Sequence, residues 1–192
     1  MKNIVLASSS ARRKEMLERY NLNPIVVKSS IEEKTRIGES PEQTVMALAF
    51  EKAYNISHLY QGDIIIGADT VVVYNNSIIG KPKDENDAFR ILSLLNGKEH
   101  EVITGICIMN PENNIKVVDF EKTSVKFRTL SEDKIRSYII TGEPMDKAGA
   151  YGIQGFGGLL VEKINGCYFN VVGLPLTKLD YMLTSFFDFS IL

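Results

Sequence analysis

The stretch Ile4-Val5-Leu6-Ala7-Ser8-Ser9-Ser10-Ala11-Arg12-Arg13 decides the fold class of this chain. Its apolar run, bounded by small polar residues, reads as a buried strand, and Ser10 before Ala-Arg-Arg-Lys-Glu-Met-Leu reads as the N-cap of a helix. With the alternation of helices, apolar strands and hairpins that follows it along the chain, this strand, turn and helix point to an α/β fold around a mixed sheet. The stretch also has a chemical reading. A helix N-terminus, with its amides and macrodipole, favours an anion, whereas Arg12 and Arg13 in the first turn are each disfavoured there by roughly 0.3–1 kcal/mol. An anion between the arginines and the serine turn would offset that cost. The plainer alternative is an ordinary first helix in which Arg12 pairs with Glu15 and Lys14 with Glu18.

Working outward, the first helix spans about 11–20, Asn23-Pro24 breaks it, and Ile25-Val26-Val27 forms a short strand. A polar segment, 28–39, carries Glu32 and Glu33. Ser40-Pro41-Glu42-Gln43 is a strong helix start, with Ser as N-cap, Pro at the first helical position and Gln completing a capping box. Val45, Leu48, Ala49, Ala53 and Ile56 then recur at helical spacing. Lys52 comes seven residues after Val45 and so falls on the same apolar face, where a lysine must snorkel or meet an anion.

Asp63-Ile64-Ile65-Ile66-Gly67-Ala68-Asp69-Thr70-Val71-Val72-Val73-Tyr74 holds two β-branched runs that form the strand core of the sheet, with Asp69 between them. An unpaired carboxylate there is expensive. Gly67 and Asp69 can mark a bend with a solvated tip, or Asp69 can coordinate a metal or act as a base. Local inconsistency clusters at functional sites, which favours the second reading. The turn Tyr74-Asn75-Asn76-Ser77 predicts a hairpin over 71–79 that ends at Gly80-Lys81-Pro82, so that Lys81 returns beside the strand bearing Asp69. Asp84 caps a helix with Phe89, Ile91, Leu92 and Leu95 as its apolar members and Gly97 as its stop. Segments 101–109 and 115–127 read as strands about a Pro-Glu-Asn-Asn turn, and a helix follows Ser131, with Ile135, Tyr138 and Ile139 inward. Six of the 14 glycines fall in 142–158, a loop composition that lets backbone approach a ligand closely. The tail is expected to be a hairpin, 159–164 and 168–172 about Asn165-Gly166, then a helix over about 176–186.

The chain has 192 residues, 44% hydrophobic and 24% charged, which suits one or at most two compact domains with a real core. With no internal repeat and no clear linker, the expectation is a single domain, 1–192. Cys107 and Cys167 each lie in an apolar, strand-like run and read as buried thiols of a reducing compartment. With no apolar run near 18 residues and no leader pattern, the expectation is a soluble, cytoplasmic protein with no membrane partner. A net charge of −2 gives no general attraction to nucleic acid, so any polyanion is held by a few placed cations. His58 and His100 occupy unremarkable settings and receive no role.

Taken together, Leu6-Ala7-Ser8-Ser9-Ser10-Ala11-Arg12-Arg13, Lys52-Ala53, Gly67-Ala68-Asp69-Thr70-Val71-Val72, Gly80-Lys81-Pro82, 146–155 (Asp-Lys-Ala-Gly-Ala-Tyr-Gly-Ile-Gln-Gly) and Asn170-Val171-Val172-Gly173-Leu174-Pro175 resemble the Maf family of septum-formation-type nucleoside triphosphate pyrophosphatases. The resemblance runs nearly end to end. It implies a single elongated α/β domain with a mixed, twisted sheet and flanking helices, similar to the inosine triphosphatases. It implies hydrolysis of a nucleoside triphosphate to monophosphate and pyrophosphate with a divalent cation, and it allows a homodimer. Residue by residue, it implies phosphate binding by Ser8, Arg12, Arg13, Lys52 and Lys81, and it puts Asp69 in the position of proton acceptor. Arg12, Thr70 and Gln154 match the positions that mark the dTTP/UTP subgroup. Ala11 stands where the family usually has proline, and the segment around Glu32-Glu33 is less regular than the family pattern.

Cleavage between α- and β-phosphates is mainly positioning and charge stabilisation, which suits cations drawn from separate elements. Magnesium or manganese, which prefer oxygen ligands, suits Asp69 with Glu33. Asp69 then serves as base toward water or only as metal ligand. The Gln154 amide can accept from the N3–H of uracil or thymine and donate to a ring carbonyl. A reading from another class is a nucleotide-binding regulator of cell division that need not hydrolyse. Retention of Asp69 with Lys81 favours the enzyme, since binding alone needs no carboxylate facing a polyanion. A P-loop enzyme is excluded because no Gly-x-x-x-x-Gly-Lys-Ser/Thr follows the first strand.

Overall fold

The structure, a computed structural model, describes residues 3–32 and 38–192. Among these the elements run β1 (Ile4–Ala7), α1 (Ala11–Glu18), β2 (Ile25–Val26), α2 (Pro41–Ser57), β3 (Ile64–Tyr74), β4 (Ser77–Ile79) and α3 (Glu85–Leu95). They continue with β5 (Glu99–Asn110), β6 (Ile115–Phe127), α4 (Glu132–Ile140), β7 (Val161–Asn165), α5 (Tyr168–Val172) and α6 (Leu176–Phe187). The strands form one sheet in the order β2-β1-β3-β5-β6-β7, with β4 paired to β3. It is mixed: β1 is parallel to β2 and β3, while β3 with β4 and β6 with β7 are antiparallel. The expected mixed α/β architecture is present.

The chain divides into two compact units, Met1–Asp69 with Thr104–Glu121 and Gly173–Leu192, and Thr70–Ile103 with Lys122–Val172. In the first, Val5, Ala7, Ile65 and Cys107 pack with Ala49 and Ala53 of α2. The α2 start is as the sequence predicts, with Ser40 Oγ accepting from the Gln43 amide and Gln43 Oε1 from the Ser40 amide. Gly67 does not mark a bend. β3 runs on through it, and a Cβ there would sit 2.1 Å from the Ala49 carbonyl oxygen. Gly105 on β5 is as tight against α2, 2.3 Å from the Val45 carbonyl oxygen. Both glycines let helix backbone lie directly on strand backbone. Burial pushes the Cys107 thiol up to about 12, as befits a packing residue.

In the second unit, Val73 pairs with Ile78 and Tyr74 with Ser77, around Asn75 and Asn76 in left-handed conformations, which is the predicted two-residue hairpin. β4 stops at Ile79, so Lys81 lies beyond the strand rather than on it. α3 is capped by Asp84, which accepts from the Asp87 amide at 2.8 Å. Its residues Ile91 and Leu95 join Phe127, Ile135 and Tyr151 in the core. The window 142–158 is three short 3₁₀ turns rather than an open loop.

The expected tail hairpin is not formed. β7 pairs with β6, Val125 opposite Ile164, and residues Tyr168–Val172 are helical. The reason is Thr123 on β6: its hydroxyl accepts from the Cys167 amide and the Asn170 side chain and donates to the Cys167 carbonyl, turning the chain out of the sheet. Gly166, at φ 130°, has no room for a Cβ beside that hydroxyl. Cys167 is therefore half-buried in a turn, not within a strand.

Candidate active site

The parallel pair β1–β3 builds the first part of the site. Ala7 is in register with Gly67, so the serine turn at Ser8 leaves the C-terminal end of β1 while β3 runs on beside it and carries Asp69 two residues past the last parallel pair. The end of a parallel strand is where open α/β sheets place ligands. Gly67 and Asp69 are two apart and share a strand face. Because Gly67 meets Ala49 and Ala53, that face looks onto α2. Lys52, next to Ala53, meets Asp69 there with Nζ 2.5 Å from Oδ1, both side chains about nine-tenths buried. The anion that the buried lysine requires is thus Asp69.

Ser8 is buried, and its Oγ accepts from the Ser10 amide and from the Arg13 guanidinium, each at 3.2 Å. Arg13 Nε donates to the Gly173 carbonyl at 2.7 Å. Buried Arg13 therefore ties the serine turn to the segment that leads into α6. Arg12 is half-buried in the same first turn of α1, and Ser10 occupies the N-cap position without a side-chain cap bond. Lys14 pairs with Glu18 at 3.3 Å, one part of the plainer alternative.

Thr70 follows Asp69 on β3 and is half-buried, and Lys81 and Gln154 are exposed. These three belong to the second unit. Within it the Gly80 carbonyl accepts from the Gly149 amide at 3.1 Å, which joins the Gly-Lys-Pro segment to the glycine-rich window. Glu33 lies outside the described residues. Among the described residues no group of three or more His, Cys, Asp or Glu side chains could hold a metal. A lone Asp69 is still a suitable ligand for magnesium or manganese, which keep waters and take the rest of their oxygens from substrate phosphates.

Two groups escape the sequence reading. Glu143 is half-buried, and its carboxylate accepts from the Phe156 amide at 2.8 Å, the Gly157 amide at 3.0 Å and the Tyr138 hydroxyl at 2.9 Å. Burial pushes the Tyr138 phenol upward, so it stays a neutral donor. The signal available is an acid that opens a glycine-rich run whose amides need an acceptor. His100 is buried, with Nε2 2.9 Å from the Tyr151 hydroxyl and its ring edge-on to Phe127. Burial lowers its pKa to about 4.

No helix among the described residues is long and apolar enough to cross a membrane. A solved structure, the Staphylococcus aureus Ham1 protein, is similar at TM-score 0.46 and 16% identity, covering 66% of this chain and 72% of that one. A curated relative from Clostridioides difficile, named dTTP/UTP pyrophosphatase, is 51% identical over 98% of this chain and 97% of its own. Another of that name, from a Geobacillus species, is 52% identical over 93% and 95%. The family model described as Maf-like protein matches residues 3–186. With the Ser8–Arg13 contact just past β1, the Lys52–Asp69 pair on the neighbouring strand and helix, and relatives this close over nearly the whole length, the chain belongs to the Maf family.

Proposed function

We propose that this chain is a nucleoside triphosphate pyrophosphatase that acts on dTTP and UTP. The observation that carries the reading is the buried Lys52–Asp69 pair beside the serine turn. It supplies a carboxylate and an ammonium on the strand and helix next to the end of β1, where a triphosphate can meet both. The names of the close relatives support the same substrates. Water attacks the α-phosphorus, the bond to the bridging α,β-oxygen breaks, and pyrophosphate leaves with that oxygen. Asp69 accepts the proton of the attacking water. Lys52, Arg12 and Lys81 bind phosphate oxygens, with arginine forked and lysine as a point charge. Arg13 braces Ser8, whose hydroxyl is then aimed by two accepted hydrogen bonds.

A divalent cation, magnesium or manganese, would be held by Asp69, with Glu33 as second carboxylate, and would supply charge neutralisation on the phosphate chain. Gln154 reads the base through the N3–H of uracil or thymine, with Arg12 and Thr70 as the other specificity residues. A cytoplasmic location follows from the reading, since free nucleoside triphosphates are held there.

The deciding experiment is pyrophosphate release from a panel of ribo- and deoxyribonucleoside triphosphates with magnesium or manganese, for wild type and Asp69→Asn. Preferential cleavage of dTTP and UTP is expected, with kcat reduced about 100-fold or more in the variant. Chelation by EDTA should stop turnover, and either metal should restore it. Tight triphosphate binding with no release from any substrate would instead make the chain a nucleotide-binding regulator.

A further inference from the structure

The window 142–158 poses a physical problem. Six glycines lie in it, and glycine loses more backbone freedom on folding than any other residue. Such a segment cannot by itself hold an exposed side chain such as Gln154 in one orientation. The order comes from a single carboxylate. Glu143 Oε2 accepts from the amide of Phe156, two residues after Gln154. Its Oε1 accepts from Gly157 and from the Tyr138 hydroxyl, and that hydroxyl accepts at 3.2 Å from the amide of Gly152, two residues before Gln154. Amides on both sides of Gln154 thus end on one linked pair, the Glu143 carboxylate and the Tyr138 hydroxyl that donates to it.

The glycines answer to the same carboxylate. A Cβ on Gly155 would stand 2.2 Å from Glu143 Oε2, and one on Gly157 would stand 2.7 Å from the Tyr138 hydroxyl. Glu143 is in turn anchored, with Lys147 Nζ donating to its carbonyl at 2.7 Å. A charged acceptor makes these bonds short and strong and fixes their directions.

We propose that Glu143 is the positioning residue for base selection: its carboxylate fixes the loop 152–158 and so orients Gln154 toward the pyrimidine ring. The proposal rests on the base-reading role given to Gln154 above. Glu143 touches neither substrate nor reacting atoms, and its effect passes through the loop.

The test uses the full chain as wild type, Glu143→Gln, Gln154→Ala and the double variant. Glutamine keeps the shape of Glu143 but has one acceptor oxygen. With that oxygen on Gly157 and Tyr138, its NH2 group faces the Phe156 N–H and the bond there is lost. In Glu143→Gln, native-state amide exchange at Phe156 should quicken about tenfold while α2 keeps its protection. KM for UTP and dTTP should rise about tenfold with kcat within about threefold of wild type. The UTP-over-CTP preference should fall to that of Gln154→Ala, and the double variant should be no worse than that single one.

Unchanged exchange at Phe156 overturns the proposal whatever the kinetics. A loss of kcat and thermal stability with the base preference intact overturns the link to selection, because it leaves Glu143 a fold-maintaining residue. Gln154→Ala that retains the wild-type preference removes the base-reading role directly, in a protein where Glu143 is untouched, and takes the link down with it.

Discussion

Lys52 and Asp69 meet at 2.5 Å with only about a tenth of either side chain exposed. Removing one partner of such a pair leaves a buried charge uncompensated, at a cost of about 3–5 kcal/mol. Lys52→Met is therefore expected to lose about that much stability in urea unfolding, although methionine fits the space. The double variant Lys52→Met/Asp69→Leu should recover most of the loss, since an apolar pair of similar volume replaces the ion pair. His100 acts in the opposite sense, as a base kept neutral by burial. Its folded pKa of about 4 lies below its ordinary 6.5, so between those values the unfolded chain takes up a proton that the folded chain does not. Stability should thus be unaffected above pH 6.5 and fall as pH drops from about 6.5 to about 4, by at most about 3 kcal/mol. His100→Gln should lack this component, and the urea midpoint of the two proteins across that pH range checks it.

At the scale of elements, what brings Lys52 to Asp69 is the distance between α2 and the sheet. Gly67→Ala would put a methyl group 2.1 Å from the Ala49 carbonyl oxygen, which is helix backbone and cannot turn aside. Helix or strand must shift. The expected loss is about 1–3 kcal/mol, with pyrophosphate release falling as well because Lys52 rides on the displaced helix. A Gly67→Ala protein with wild-type kcat would sever that connection. Much of this was legible in the sequence and some was not. The seven-residue step from Val45 places Lys52 on the core face, and apolar neighbours single out Asp69. That each is the other's partner depends on the register of α2 on β3, and a glycine in a strand reads equally as bend or as contact surface. Likewise, Tyr168–Val172 has strand composition, but Thr123, more than 40 residues earlier, captures Cys167 and Asn170 and turns it into helix. Local patterns carry no record of such distant partners.

Over the whole molecule, charge is nearly balanced, at −2 with a pI of about 5.8. Phosphate affinity then comes from a few placed cations rather than from a general field. Duplex DNA at physiological salt should show no binding by fluorescence anisotropy beyond that of an acidic control protein, while UTP affinity keeps only a shallow salt dependence. A steep salt-dependent DNA complex would refute this. Glu143 and His100 were illegible for a related reason: what each does is set by segments brought to it by the whole fold. An acid among glycines and a lone histidine look alike in any sequence.

The sheet ends in β2 on one side and β7 on the other, among the described residues. An unpaired strand edge is a template on which another chain can add, and proteins blunt it by brevity or by charge. Both devices are present: β2 offers two residues, and β7 turns Glu162 and Lys163 to solvent. These two margins are thereby poor templates for a strand from another chain.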